Sequence, residues 1–165
     1  MTARKLAVLL KDARIRPVVN QVELHPFLPQ TELLGWCSRH GITLTAFSPL
    51  GSPDRPARLI SEGDPTPLAD PVVKRIAAAH NVSPAQVLIR WAVERGTPVI
   101  PKSVTPSRIA ENLNVFDFKL SPAEIDELAT LGTGQRLNKG AQWALEGQKW
   151  QDLWDDDFDH STTVA

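Results

Sequence analysis

Val18-Val19-Asn20-Gln21-Val22-Glu23-Leu24, then Thr31 to His40, then Ile42-Thr43-Leu44-Thr45-Ala46-Phe47: this stretch decides the fold. The first run is short, β-branched and broken at once by His25-Pro26, which predicts a strand. Thr31 to His40 carries Leu33, Leu34 and Cys37 at helical spacing and stops at Gly41, a residue suited to the turn beyond a helix end. Ile42 to Phe47 alternates, is again β-branched, and breaks at Ser48-Pro49-Leu50-Gly51. Strand, helix and strand with connections this short read as a βαβ unit, and such units build parallel sheets.

Upstream, Leu6, Leu9 and Leu10 space as one helix face, and Arg16-Pro17 ends that segment. Downstream, residues 51–70 hold Pro53, Pro56, Pro65 and Pro67, too many for a regular element. A loop of that length inside a compact domain usually serves as a lid or binding loop. Four later segments open on a capping side chain followed by proline: Asp70-Pro71, Ser83-Pro84, Thr105-Pro106 and Ser121-Pro122. The first residue is expected to cap the orphan amides, and proline supplies a preset first helical position. Helix 84–95 offers Val87, Leu88, Trp91 and Ala92 to the core. Helix 106–113 offers Ile109 and Leu113, with Phe116 beyond, and helix 122–131 offers Ile125, Leu128 and Leu131. Between the first two of these lies Pro98-Val99-Ile100-Pro101-Lys102-Ser103, predicted as a third strand.

Polar residues fall at the C-terminal end of each predicted strand: Gln21 and Glu23, then Ser48, then Lys102 and Ser103. In (β/α)8 barrels that rim carries the chemistry. Three strands do not close, however, and a barrel of that kind typically takes about 250 residues. Two fold readings stand: a small open sheet, or one part of a barrel whose other strands lie outside this chain.

The 165 residues are enough for one domain and short for two. With 42% hydrophobic and 22% charged residues, the composition is globular. Eighteen Lys and Arg against 19 Asp and Glu give a net charge of -1, which excludes a general nucleic-acid binder. Helices 84–95 and 106–113 suggest a helix-turn-helix, but that charge and the intervening Pro-Val-Ile-Pro strand argue against it. No run approaches the ~20 apolar residues of a membrane span, and Met1 to Lys5 opens no signal-like core. The single cysteine, Cys37, fits a small core residue in a reducing, cytoplasmic setting. Asp152, Asp155, Asp156, Asp157 and Asp159 make residues 152–159 strongly acidic and suggest a solvated tail. The chain contains no tyrosine.

Among candidate sites, Lys102-Ser103-Val104-Thr105-Pro106-Ser107-Arg108 is the most informative. The helices at Ser83 and Ser121 carry Gln86 and Glu124 three residues on, where a capping box needs a side chain reaching back. The helix at Thr105 carries Arg108 there instead. A cation near a helix N-terminus opposes the macrodipole, and an anion seated on that terminus would reverse the penalty. Lys102, Arg108, nearby hydroxyls and free amides together describe a phosphate site; the alternative is two exposed surface charges.

Gln21 and Glu23 share a strand face, either for a ligand carboxamide or as members of a buried polar network. Phe47 stands at a rim position, fit to stack on an aromatic ligand or to pack in the core. His25 has no second His or Cys nearby, so no metal site is expected. No Gly-x-Gly-x-x-Gly or phosphate-binding Gly-Lys-Ser loop occurs, which removes the Rossmann and P-loop routes.

Three stretches together resemble the aldo-keto reductase superfamily: Val19-Asn20-Gln21-Val22-Glu23-Leu24-His25-Pro26, Ala46-Phe47-Ser48-Pro49-Leu50-Gly51-Ser52-Pro53-Asp54-Arg55-Pro56, and Ile100 through Leu113. The closest branch looks like the aldehyde and aldose reductases, and the match covers roughly residues 4–131 in family order. The resemblance implies a (β/α)8 TIM barrel, of which this chain is similar to the C-terminal half, about three strands with their helices. It implies an NADP-dependent oxidoreductase that reduces aldehydes or ketones, with NADPH lying across the C-terminal rim. Carried over by position, Gln21 would bond the nicotinamide carboxamide. Phe47 falls where the family usually has a stacking tyrosine. Ser48, Leu50 and Ser52 would line the pyrophosphate path, and Asp54 would help latch the loop over it. Lys102, Ser103, Val104, Thr105 and Arg108 would hold the adenosine 2′-phosphate, while Glu111 and Asn112 would contact the adenine.

One departure is large. The family donates its proton from a tyrosine supported by aspartate, lysine and histidine, all from the first half of the barrel. With no tyrosine here, the resemblance implies that the catalytic set is absent and that this chain alone is an inactive fragment. The alternative is a non-catalytic half-barrel that binds nucleotide or docks with a partner. Residues 1–131 are then the half-barrel with the NADP site and 132–165 an atypical Trp-rich acidic tail. Open barrel edges lead us to expect self-association. Trp143, Trp150 and Trp154 are expected either to pack over the rim or to stand exposed.

Overall fold

The computed structural model describes residues 1–60, 63–155, 160 and 161. Asp156, Asp157 and Asp159 of the acidic tail lie outside the described residues. Helix α1 (Ala3–Asp12) is capped by the Thr2 hydroxyl, which accepts from the Lys5 amide, and it buries Ala3, Leu6 and Leu10. Leu9, expected on the same face, is 40% exposed. Strand β1 (Val19–Glu23), helix α2 (Thr31–Arg39) and strand β2 (Thr43–Phe47) form the predicted βαβ unit. The strands run parallel, with Val19 opposite Thr43 and Glu23 opposite Phe47.

The third strand does not form as predicted. Val99 makes one parallel bridge to Ala46, so the sheet proper has two strands among the described residues. Two hydrogen bonds fasten it: the Ala46 amide to the Pro98 carbonyl at 2.8 Å and the Ile100 amide to the Ala46 carbonyl at 3.2 Å. Proline has no amide to donate, so Pro98 and Pro101 stop the ladder on either side.

One face of this small sheet carries the core. Asn20, Val22, Leu44 and Ala46 are buried there, against α1, α2, α3 (Pro71–His80) and α4 (Pro84–Glu94). Trp36 and Trp91 are the largest side chains in that layer. The opposite face shows Val19, Gln21 and Thr43 to solvent. Among the described residues the sheet is covered fully on one side and on the other only at its C-terminal end, where Glu23 is buried, an arrangement parallel sheets seldom tolerate.

Two further helices close the chain's α/β part, α5 (Pro106–Leu113) and α6 (Pro122–Ala129). Helix α6 inserts Leu128 into the core. Helix α5 buries nothing, contrary to the expectation for Ile109 and Leu113, which are 53% and 74% exposed. It is held at its C-terminal end instead. Buried Gln86 donates to the Asn114 carbonyl, and buried Arg90 donates to the Val115 carbonyl at 3.0 Å. Beyond α6 the chain folds back over the C-terminal end of β1, with Leu137 buried. The indole of Trp154 donates to the Lys139 carbonyl at 3.0 Å and lies beneath the Arg136 guanidinium, while Trp143 is exposed. The aromatic tail thus divides, with Trp150 and Trp154 half-buried and Trp143 in water.

Candidate functional site

Capping distinguishes one helix from its neighbours. Ser83 and Ser121 each complete a reciprocal box, with Gln86 and Glu124 respectively, and Asp70 caps Val72 at 2.8 Å. Thr105, expected to cap α5, does not: no side chain caps that terminus. The Ser103 hydroxyl instead accepts from the Thr105 amide at 3.2 Å, one position before the helix. The first turn of α5 therefore points amides outward beside Arg108, which is exposed and has no ion-pair partner among the described residues. That end of the helix attracts negative charge through its orphan donors and its dipole.

In front of it lies a cavity of about 570 Å³, a volume typical of small-ligand sites. One wall is the segment after the Val99 bridge together with α5: Lys102, Ser103, Val104, Thr105, Arg108, Glu111 and Asn112. The other is the loop after β2, with Ser48, Leu50, Ser52 and Asp54. Eleven of the thirteen residues singled out from the sequence line this one groove. Leu68 and the start of α4, Ser83 to Ala85, form its floor and were not foreseen, because their spacing says only helix start.

The loop is built on strained backbone. Ser48 and Ser52 both sit in the left-handed region, at φ 51° and 45°, where side chains pay a steric cost. Their hydroxyls bond to one another. Between them Gly51, at φ 81°, leaves no room for a side chain: a Cβ there would meet Pro67 Cδ at 2.5 Å and Leu137 Cδ1 at 3.3 Å. The Arg55 guanidinium donates to the Gly51 and Ser52 carbonyls and pairs with Asp64 at 2.6 Å. Asp54 reaches across the groove and pairs with Lys102. That hydrogen bond, offset in part by burial, holds the Asp54 carboxyl below the ordinary carboxylate range.

Gln21 and Phe47 do not line the groove. Gln21 is exposed on the uncovered face of the sheet, and Phe47 is half-buried on the same face. Glu23, two positions on, has the opposite fate: its side chain is wholly buried. Of the two readings left open for it, the polar network is the one seen. Its carboxylate accepts from His25 Nε2 at 3.1 Å, from the Leu137 amide at 2.9 Å, and from the Asn138 amide at 3.0 Å. Burial raises the Glu23 carboxyl, but His25 and the two amides outweigh it and leave the group below its ordinary value. Asn138, in turn, donates its side-chain amide to Ser48 Oγ at 3.2 Å.

Parallel strands covered by helices, with a polar groove at their C-terminal ends, define an α/β protein of the kind that places ligands at strand ends. The chain belongs to the aldo/keto reductase family, whose profile matches residues 1–132. An aldo/keto reductase of Synechocystis sp. is 46% identical over 155 residues, 93% of this chain and 47% of that protein. The aldo-keto reductase family 1 member A1-A of Danio rerio is 48% identical over 135 residues, 82% of this chain and 41% of that protein. The solved structure of the aldose reductase from Schistosoma japonicum superimposes with a TM-score of 0.71 at 38% identity, over 82% of this chain and 40% of that one. The chain thus spans less than half the length of these relatives.

Proposed function

We propose that this chain carries the NADP-binding portion of a reductase of aldehydes and ketones, and supplies the C-terminal strands and helices of a (β/α)8 barrel. The observation that carries the cofactor assignment is the pair Lys102 and Arg108 flanking the N-terminus of α5, which no side chain of its N-cap residue caps. A ribose 2′-phosphate is a dianion that such a site would hold and that NADH lacks. The groove's lining runs from that site to Glu111 and Asn112 and also to Ser48 and Ser52. The names of the relatives, aldo-keto and aldose reductases, favour a carbonyl substrate.

When bound, NADPH supplies a hydride. What the reaction also needs is a general acid at the carbonyl oxygen, a contribution of about 10²–10⁴-fold. The chain has no tyrosine to give it. His25 is buried and bonded to Glu23, and Lys102 is paired with Asp54 in the groove. In this reading the proton donor comes from outside these 165 residues. The lack of tyrosine also favours a second reading, a half-barrel that binds nucleotide without turnover.

Calorimetry with 2′,5′-ADP and 5′-AMP tests the cofactor assignment on the chain itself. We expect 2′,5′-ADP to bind and 5′-AMP to bind at least tenfold more weakly. Arg108→Ala should remove most of that preference, and equal affinity for the two nucleotides would sink it. Adding NADPH and an aromatic aldehyde to the same sample should give no turnover; turnover would place the acid within the chain.

A further inference from the structure

Glu23 is bound to two backbone amides that lie far away in sequence, at Leu137 and Asn138, and to nothing in the groove. A buried carboxylate is costly unless its oxygens are satisfied, and here three donors converge on it. What the arrangement fixes is the path of the chain at 137–138. That path makes two contacts with the loop after β2. Leu137 Cδ1 lies 3.3 Å from where a Cβ on Gly51 would stand, and the Asn138 side-chain amide donates to Ser48 Oγ. Since Ser48 accepts from Asn138, its own proton is free to go to Ser52. These are the two serines held at positive φ. Strained residues persist only where their surroundings over-determine them. Beside the Arg55 bonds to the Gly51 and Ser52 carbonyls, the surroundings include one relay that reaches both serines: Glu23 to Asn138, Asn138 to Ser48, Ser48 to Ser52.

We propose that Glu23 is a positioning residue, which through Asn138 holds loop 48–55 in the shape that receives the dinucleotide. That loop shape is the claim; the dinucleotide rests on the function proposed above. Glu23 touches no ligand in this account. It sets one wall of the groove from behind, and reaches the far wall at Lys102 to Asn112 only through the exposed Asp54–Lys102 pair.

Amide hydrogen exchange on the full chain, without ligand, is the primary test. The Gly51 and Arg55 amides donate to the Ser48 and Ser52 carbonyls at 2.9 and 3.2 Å and report the loop directly. Asn138→Ala removes only the side-chain amide and should speed exchange at both by about fivefold, the worth of one hydrogen bond. The Leu44 and Ala46 amides should not change. In a Ser48→Ala background Asn138→Ala should have no further effect, because the relay is already cut. Glu23→Gln turns an amide group towards two amide donors and should loosen the loop at least as much. If Glu23→Gln fails to fold, the Asn138 and Ser48 cycle decides alone. Unchanged exchange in Asn138→Ala, or additive effects in the double variant, overturns the proposal.

A second arm separates this from the cofactor reading. Asn138→Ala should weaken NADP+ about fivefold and weaken 2′,5′-ADP clearly less, because the loop reaches the far wall only through the exposed Asp54–Lys102 pair. A loop that loosens in a protein that binds neither nucleotide would uphold the positioning role and refute the cofactor assignment. Equal weakening of both nucleotides would overturn the claim that Glu23 sets one wall only.

Discussion

The ammonium group of Lys102 closes on the carboxylate of Asp54, joining the segment after the Val99 bridge to the proline-rich loop after β2. Both side chains are more than half exposed, at 64% and 54%. Water screens such a pair, so it contributes little to stability, under about 1 kcal/mol. Its position matters more than its strength. It spans the mouth of the groove, and a phosphate arriving at Arg108 would meet Lys102 already held in place.

The pair has a predictable acid limit. Lys102 depresses the Asp54 carboxyl, so the latch is fully present above the ordinary carboxylate value of ~3.9 and is lost only as pH falls through the depressed one. Carbon-detected NMR of the Asp54 carboxyl should show its titration below the ordinary aspartate value of ~3.9. Lys102→Ala should return it to the ordinary range. An Asp54 that already titrates normally would mean the latch is open in solution.

Helix capping gives a sharper contrast. Ser83→Ala and Ser121→Ala each break a reciprocal box and should cost about 1 kcal/mol. Thr105→Ala, at an N-cap whose side chain caps nothing, should cost within about 0.3 kcal/mol. Urea unfolding of the three variants checks this. A Thr105→Ala loss matching the other two would show that α5 is capped after all, and would weaken the anion site.

That Thr105 leaves its own amides uncapped was not legible in the sequence; that Arg108 cannot close a capping box as Gln86 does was, because the box needs only the residue three positions on. The βαβ unit was legible for the same reason, through β-branched runs bounded by His25-Pro26 and Ser48-Pro49. Val99 and Ile100 have the composition of a strand, but flanking prolines limit what they can pair with, and the sheet stops at one bridge. Ile109 and Leu113 have core spacing on α5, and no layer lies against them. Periodicity marks an apolar face and not what covers it. Least legible was the role of Glu23. Its placement on a strand face raised the question, but the answer lies at Leu137 and Asn138, in a stretch with no motif.

Gly51 should tolerate no side chain. At φ 81° an alanine is strained before packing is counted, and its Cβ would fall 2.5 Å from Pro67 Cδ, a ring that cannot swing aside. Gly51→Ala is expected to cost about 2 kcal/mol or more and to displace the 67–69 turn. Gly63, at a similar φ but in open space, should cost only the backbone part, about 1 kcal/mol. Thermal melts of the two variants give the comparison, and equal losses would remove the role assigned to close approach at Gly51.

The chain on its own should associate. Its open side is apolar at both margins, with Val18 and Val19 beside the free edge of β1, and Ile109, Leu113 and Phe116, each more than half exposed, along and beyond α5. Ile89, Val93 and Val99 line a groove next to that second margin. Burying about 400 Å² of such surface returns on the order of 10 kcal/mol at ~25 cal/mol per Å², enough to offset the entropy of association. A bare parallel edge at β1 adds a row of unpaired backbone groups that another chain can use. Sedimentation velocity at micromolar concentration should therefore show dimers or larger species. Leu113→Glu with Phe116→Glu places charge on the α5 margin and leaves in place the Gln86 and Arg90 side chains that anchor the Asn114 and Val115 carbonyls between them. If that margin drives association, this double variant sediments as a monomer while Val19→Lys at the β1 edge does not. The reverse outcome assigns association to the strand edge. A wild-type chain that stays monomeric at these concentrations, with a cooperative melt, would show that the one-sided layer is stable in water, against the expectation for a parallel sheet.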